Sequence, residues 1–191
     1  FALFWIVILT QIVNWSKGVD GQMPGITLVS AITLGLLSLK FYQQGDPNQL
    51  KFAALAFITA GTSLGFLIFN WHPSKILPGF SGSTILAYLL AILAILSGAK
   101  VATALLVLAI PTIDFIYTFL RRIAHGHSPV WGDRGHLHHR LLDLGWSHQR
   151  ISLFYILGSA ILGAVALFAN TESKLIGIAI VGTIFIELLR G

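Results

Sequence analysis

The chain has 191 residues, 55% of them hydrophobic and 10% charged, with a mean hydropathy of +0.83. A soluble domain carries about 25% charged residues, so this composition excludes a water-soluble globular protein; the apolar runs are continuous rather than short and alternating, which excludes a transmembrane β-barrel. The absence of cysteine excludes disulfides and thiolate chemistry, and the net charge of +5 lies beside the apolar runs, where Lys and Arg set topology, rather than marking a nucleic-acid partner.

Seven hydrophobic segments follow one another, at about 1–14, 26–42, 51–69, 83–97, 100–120, 151–169 and 174–190. No repeat or low-complexity tract divides them. The expected architecture is all-α: a polytopic transmembrane helical bundle of about seven helices, forming a single domain over 1–191. The opening FALFWIVILT lacks the basic start and small-residue cleavage site of a signal peptide. It reads as the tail of a helix, and the chain as the C-terminal part of a longer protein.

The first polar stretch is TQIVNWSKGVDGQMPGI, residues 10–26. Its glycines and Pro24 predict a broken helix end, tolerated at membrane depth only where it faces protein or water. Asn14 and Asp20 are the residues of interest: Asp20 is placed to bind a metal or a nucleotide, and an ordinary Asp-Gly turn is the plainer alternative. The next loop, QQGDPNQ at 43–49, is a simple turn.

FNWHPSKILPGFSGS, residues 69–83, contains Asn70 and Ser81. Its glycines and serines leave backbone N–H groups free at the start of the next helix, which suits a phosphate and equally suits a plain cap. His72, alone there, reads as an interfacial histidine rather than a ligand. In PTIDFIYTFLRR, 111–122, Asp114 is an ionisable group inside an apolar run. Such a residue is functional by default or paired with a neighbouring element; both readings stay open. Arg121 and Arg122 close that helix favourably for its dipole.

Residues 121–150, RRIAHGHSPVWGDRGHLHHRLLDLGWSHQR, form the one long polar segment and hold six of the seven histidines. His136 is followed by Leu137 and then, four residues on, by Arg140, so the zincin arrangement is not present. Arg134 and Arg140 among His136, His138 and His139 point to an anionic ligand, a phosphate or pyrophosphate; a solvated basic loop is the alternative. The last two segments read as packing helices. With this loop cytosolic, eight of the twelve Lys and Arg lie inside, including every Arg, and Lys40, Lys51, Lys100 and Lys174 lie outside. The multi-pass protein is then expected in the inner membrane with its active face cytosolic.

DRGHLHHRLLDLG at 133–145, preceded by PTIDFIYTFLRR at 111–122, resembles the polyprenyl-phosphate N-acetylhexosamine-1-phosphate transferases. The phospho-MurNAc-pentapeptide translocases are relatives. The resemblance covers nearly the whole chain. It implies that a polyprenyl phosphate attacks the β-phosphate of a UDP-sugar, releasing UMP and leaving a polyprenyl-diphospho-sugar that starts a cell-envelope glycan. It implies UDP-N-acetylhexosamine, polyprenyl phosphate and membrane lipid as partners, with a homodimer as a possible assembly, and Mg²⁺ as cofactor. His136, His138 and His139 are then the catalytic histidines. Asn14, Asp20, Asn70, Ser81, Arg134 and Arg140 are the substrate-binding residues, with Asp20 also a metal residue.

This chain departs from the family pattern at named positions. Gln11 and Lys17 stand for an Asn and an Asp of the first loop, Phe80 for the magnesium-binding Asp of the second, and Leu77 for an aromatic that stacks on uracil. Lys17 therefore invites the reading that a lysine replaces metal charge. Two other functions compete: a non-catalytic relative that binds lipid phosphate or nucleotide-sugar, and a transporter or metal-handling protein using Asp114 and the histidines. The catalytic reading requires Asp20, Asn70, Ser81, His136, His138 and His139 to converge on one cytosolic cleft.

Overall fold

The structure is a computed structural model that describes residues 1–96, 101–128 and 135–190, the last seven of these by backbone alone. The described residues form helices and no strands. In chain order these are α1 (Ala2–Trp15), α2 (Gln22–Gln43), α3 (Gln49–Asn70), α4 (Phe80–Leu96), α5 (Val101–Val107), α6 (Ala109–Ala124), α7 (Leu137–Asp143), α8 (His148–Phe168) and α9 (Thr171–Arg190). The chain is an all-α membrane protein. Helices α2, α3 and α8 are each long and apolar enough to cross a membrane, and α1 and α4 are shorter apolar helices.

Helix α2 is the centre of the bundle and packs on both α3 and α8. Its inward face is small and hydroxylated. Gly25 seats the Ile156 side chain, and Thr33 fills the space a side chain at Gly163 would take. Small residues let helix backbones approach without a hydrophobic driving force, which lipid does not supply. The buried hydroxyls satisfy themselves within the helix: Thr27, Ser30 and Thr33 donate to the carbonyls of Met23, Ile26 and Val29 at 2.9, 2.7 and 2.9 Å. Large apolar side chains such as Phe4, Ile58, Ile68, Ile161 and Phe168 are exposed instead. That inside-out pattern is stable only against lipid. Trp5 ties α1 to α4 through its indole N–H, which donates to the Ala91 carbonyl at 3.1 Å.

The segment expected as one span over 100–120 is two helices, bent by 82°. Pro111 supplies the reason. A proline ring collides with the carbonyl four residues earlier in a continuous helix, here Val107, and Val107 is the last residue of α5. Restarting at Ala109 puts Pro111 in the first turn of α6, where no intrahelical donor is needed. The polar segment 121–150 is likewise not all loop, because it contains the short helix α7. Those two features raise the expected seven helices to the nine described.

Candidate active site

The loop between α1 and α2 touches every other part of the site. Ser16 closes α1 by donating to the Ile12 carbonyl at 2.7 Å. Gly18 lies flat against the His138 imidazole; a Cβ there would fall 1.9 Å from His138 Nε2. Gly21 starts α2 at φ +80°, a left-handed backbone that glycine adopts without strain. Three clusters meet along these residues.

The first cluster is built on Asp114. This carboxyl, buried in α6, sits 2.9 Å from His136 Nδ1 through one oxygen and accepts the Leu137 N–H at 2.8 Å through the other. It therefore caps α7 from a different helix. A carboxylate accepts but cannot donate, so His136 Nδ1 is the donor of the pair and Nε2 is turned away from Asp114. Thr118, one turn beyond Asp114, places its hydroxyl 3.4 Å from the same Nδ1. Trp15 meets the His136 ring edge-on at 5.3 Å, and the Arg122 guanidinium lies over the other ring of that contact, 4.8 Å from Trp15.

His138 stacks parallel to His136 at 5.4 Å, and His139 follows at 4.3 Å from His138. Burial pushes His138 down to about 4, helped by the charges of His139 and His136 and opposed by that of Asp114. His138 is thus a neutral imidazole near pH 7, and its buried Nδ1 has no partner in the protein. Arg140 reaches over the Tyr117 ring at 6.0 Å.

The second cluster is built on Asp20. His72 Nδ1 donates to its carboxylate at 2.7 Å and the Ser74 N–H at 3.3 Å, while Ser152 donates to its backbone carbonyl. His148 stacks on His72 at 4.5 Å. Burial acts to raise the Asp20 carboxyl, but the hydrogen bonds from His72 and Ser74, with His148 nearby, outweigh it and hold it below 3.8. Asn70 buttresses this cluster. Its carbonyl oxygen accepts the Gly21 N–H at 2.9 Å and its amide donates to the Ile76 carbonyl at 2.8 Å.

The third cluster is built on Asn14. The Ser83 hydroxyl donates to Asn14 Oδ1 at 2.5 Å. Lys17 Nζ lies 3.3 Å from the same oxygen, 3.4 Å from Ser83 Oγ and 5.4 Å from the centre of the Phe80 ring.

Neither polar cluster suits Mg²⁺. That ion takes near-octahedral oxygen ligands, usually carboxylates and water. Around Asn14 the ligand positions hold an ammonium and a phenyl ring. Around Asp20, the ligand atoms of Asp20, His72 and His148 lie within 4.8 Å of one another, but two of the three are imidazole nitrogens, a set for softer cations. Neither group supplies the set of oxygen ligands that the expected magnesium centre needs; Asp20 is the one carboxylate among them.

Two further pockets adjoin the first cluster. Arg121, Arg122, His125 and His127 line one of about 260 Å³. An apolar groove of about 520 Å³ shares Arg121 and His125 with it and runs along Ile113, Ile116, Tyr117 and Leu120 of α6. Helix α6 thus divides its faces. Asp114, Thr118 and Arg122, spaced four apart, lie on the side of the histidines and Trp15, and Ile113, Ile116, Tyr117 and Leu120 line the groove.

Of the residues expected from sequence, Asn14, Asp20, Asn70, His136, His138 and His139 are gathered around the α1–α2 loop. Ser81 is not: it is exposed, and Ser83 is the serine that meets Asn14. Arg134 lies outside the described residues. Asn70 is 1% exposed with both ends of its amide engaged by backbone, so it braces the two loops rather than offering a free group. His72, expected as an interfacial histidine, instead pairs with Asp20, and His148, Thr118 and Ser83 are site residues that the sequence does not single out. A histidine directly before Pro73, in a loop facing Asp20, was the available signal for His72.

Comparison with known proteins identifies the family. The family described as glycosyl transferase family 4 matches residues 1–98. A probable undecaprenyl-phosphate N-acetylglucosaminyl 1-phosphate transferase of Bacillus subtilis is 29% identical over 82% of this chain and 44% of its own length. A decaprenyl-phosphate N-acetylglucosaminephosphotransferase of Mycobacterium tuberculosis is 31% identical over 96% of this chain and 52% of its own. A phospho-N-acetylmuramoyl-pentapeptide-transferase of Listeria monocytogenes is 30% identical over 86% and 49%. The chain spans about half the length of the curated relatives it matches. The family model over residues 1–98, together with relatives at least 30% identical that cover nearly the whole chain, bears out the resemblance: the chain belongs to glycosyl transferase family 4.

Proposed function

We propose that this protein transfers a sugar-1-phosphate from a UDP-N-acetylhexosamine to a polyprenyl phosphate, at the cytosolic face of the cytoplasmic membrane. The observation that carries the reading is the basic pocket of Arg121, Arg122, His125 and His127 lying beside the apolar groove along α6, the two sharing Arg121 and His125. A lipid with an anionic head has one place for its chain and an adjoining place for its phosphate. Arg122 joins that pocket to Trp15, and Trp15 touches His136. The names of the relatives support the same substrates, and the Lys and Arg asymmetry supports the orientation.

The chemistry follows from the arrangement. A lipid phosphate oxygen forms a bond to the β-phosphorus of the sugar nucleotide. The bond from that phosphorus to the bridging oxygen breaks, and UMP leaves. Phosphoryl transfer of this kind is mostly positioning and charge neutralisation. His136 Nε2, its ring oriented by Asp114, accepts the proton of a singly ionised lipid phosphate and leaves a better nucleophile. Arg121, Arg122 and Arg140 offset the charge gathered by the two phosphates.

The test is conversion of radiolabelled UDP-GlcNAc into a lipid-extractable product by the full-length protein. Product should require added polyprenyl phosphate, and Arg121→Ala should raise the KM for that lipid about tenfold with the KM for UDP-GlcNAc unchanged. Sugar-nucleotide binding without any lipid product would leave a binding protein and refute the transfer.

A further inference from the structure

The Asn14 cluster offers donors where a metal centre would offer acceptors. Asn14 Oδ1, its one strong acceptor, is already engaged by Ser83 and by Lys17. The buried Asn14 Nδ2 is a donor without a partner in the protein. Lys17 brings three N–H donors and one positive charge, and has two hydrogen-bond partners. Phe80 has no lone pair to give, and its ring face favours a cation beside it. The ammonium and the unpartnered amide N–H repel a divalent ion and attract an anion. The charge balance points the same way. Two carboxylates and a divalent cation sum to zero formal charge, whereas Lys17 and Phe80 give one positive charge with no ion bound.

The placement also suits a diphosphate. Lys17 immediately precedes Gly18, which lies against His138, so the ammonium and the histidine stack are presented by consecutive residues. Asp20, three residues further on, faces His72 rather than Lys17, and no carboxylate neutralises the ammonium among its described contacts.

We propose that the Lys17 ammonium, held by Asn14 and Ser83 beside the Phe80 ring, takes the place of a divalent cation, so that this protein binds the diphosphate of its sugar nucleotide without Mg²⁺. The inference rests on the proposed transferase function and deepens it at one subsite. Lys17 Nζ and Asn14 Nδ2 hydrogen-bond phosphate oxygens directly, and Ser83 orients the Asn14 amide so that its NH₂ remains available.

Calorimetric titration of UDP-GlcNAc into the full-length protein in lipid nanodiscs, with EDTA and then with millimolar Mg²⁺, tests this. The expected affinities agree within about twofold. Lys17→Ala should weaken binding at least tenfold in both conditions and Lys17→Arg should restore most of it, with thermal melting confirming that each variant is folded. The double variant Lys17→Asp with Phe80→Asp should bind only when Mg²⁺ is present. A tenfold or greater loss on adding EDTA to the unaltered protein, or an indifferent Lys17→Ala, overturns the proposal while leaving the transferase reading standing. Absence of binding in every condition overturns both.

Discussion

Asp114 and His136 are 22 residues apart and joined by a 2.9 Å hydrogen bond inside the protein. The same carboxyl caps α7 through Leu137. One ionisable residue in an apolar helix therefore sets both the direction of the short helix carrying the histidines and the tautomer of the first of them. Asp114→Asn should keep the volume and one acceptor but free the ring to adopt the other tautomer. Transfer should fall about 10²- to 10⁴-fold, mainly in kcat. Because the two residues act as a unit, Asp114→Asn combined with His136→Ala should lose little more than the worse single variant.

Acidification should act through His138 first. Its folded value, lowered to about 4, lies below the 6.5 of an unfolded histidine. Its contribution is therefore complete above about pH 6.5 and is lost as the pH falls towards 4, because the unfolded chain takes up the proton first. The total is on the order of 3 kcal/mol. Asp20, lowered below 3.8, adds a separate loss at more acid pH. Melting temperature against pH should be flat from 8 to 7 and then decline, and His138→Gln should remove the decline between 6.5 and 4 but not the more acid one.

Gly18→Ala tests the contact between the α1–α2 loop and the histidine stack. The added methyl would lie 1.9 Å from His138 Nε2, so the imidazole or the loop must move. Overpacking of this kind costs about 1–3 kcal/mol. Turnover should fall at least tenfold, whereas Gly82→Ala, which meets nothing within 4 Å, should be nearly silent in melting and turnover.

Asn70→Ala removes one buried and one part-buried hydrogen bond and strands the Gly21 N–H and the Ile76 carbonyl. A loss of about 2–4 kcal/mol in unfolding free energy is expected. If Asn70 instead served mainly as a substrate ligand, melting would be unchanged and only the KM for UDP-GlcNAc would rise.

Much of this was legible from residue order. The apolar runs located α2, α3 and α8 because lipid demands long continuous helices. DRGHLHH located the histidines, and Asp114 stood out because a carboxyl in an apolar run needs a partner, although its partner was not readable. The bend at Leu108 was missed by a hydropathy reading, which does not register that Pro111 forbids a helix through Val107. Residue order alone does not separate Ser81 from Ser83, since both flank Gly82. Once α4 begins at Phe80, residues 80 and 83 share a face and 81 does not. The Asp20–His72–His148 group joins three loops, and such a meeting depends on helix packing that no local pattern records.

The nucleotide released during turnover tests the central claim most directly. Attack on the β-phosphorus by a lipid phosphate releases UMP, one for each lipid-linked sugar formed. Chromatography of the products of the full-length protein should show UMP and lipid product in equal amounts, both lost in His136→Ala. Release of UDP instead would mean that the sugar carbon, not the phosphorus, is the atom attacked, and would contradict the account.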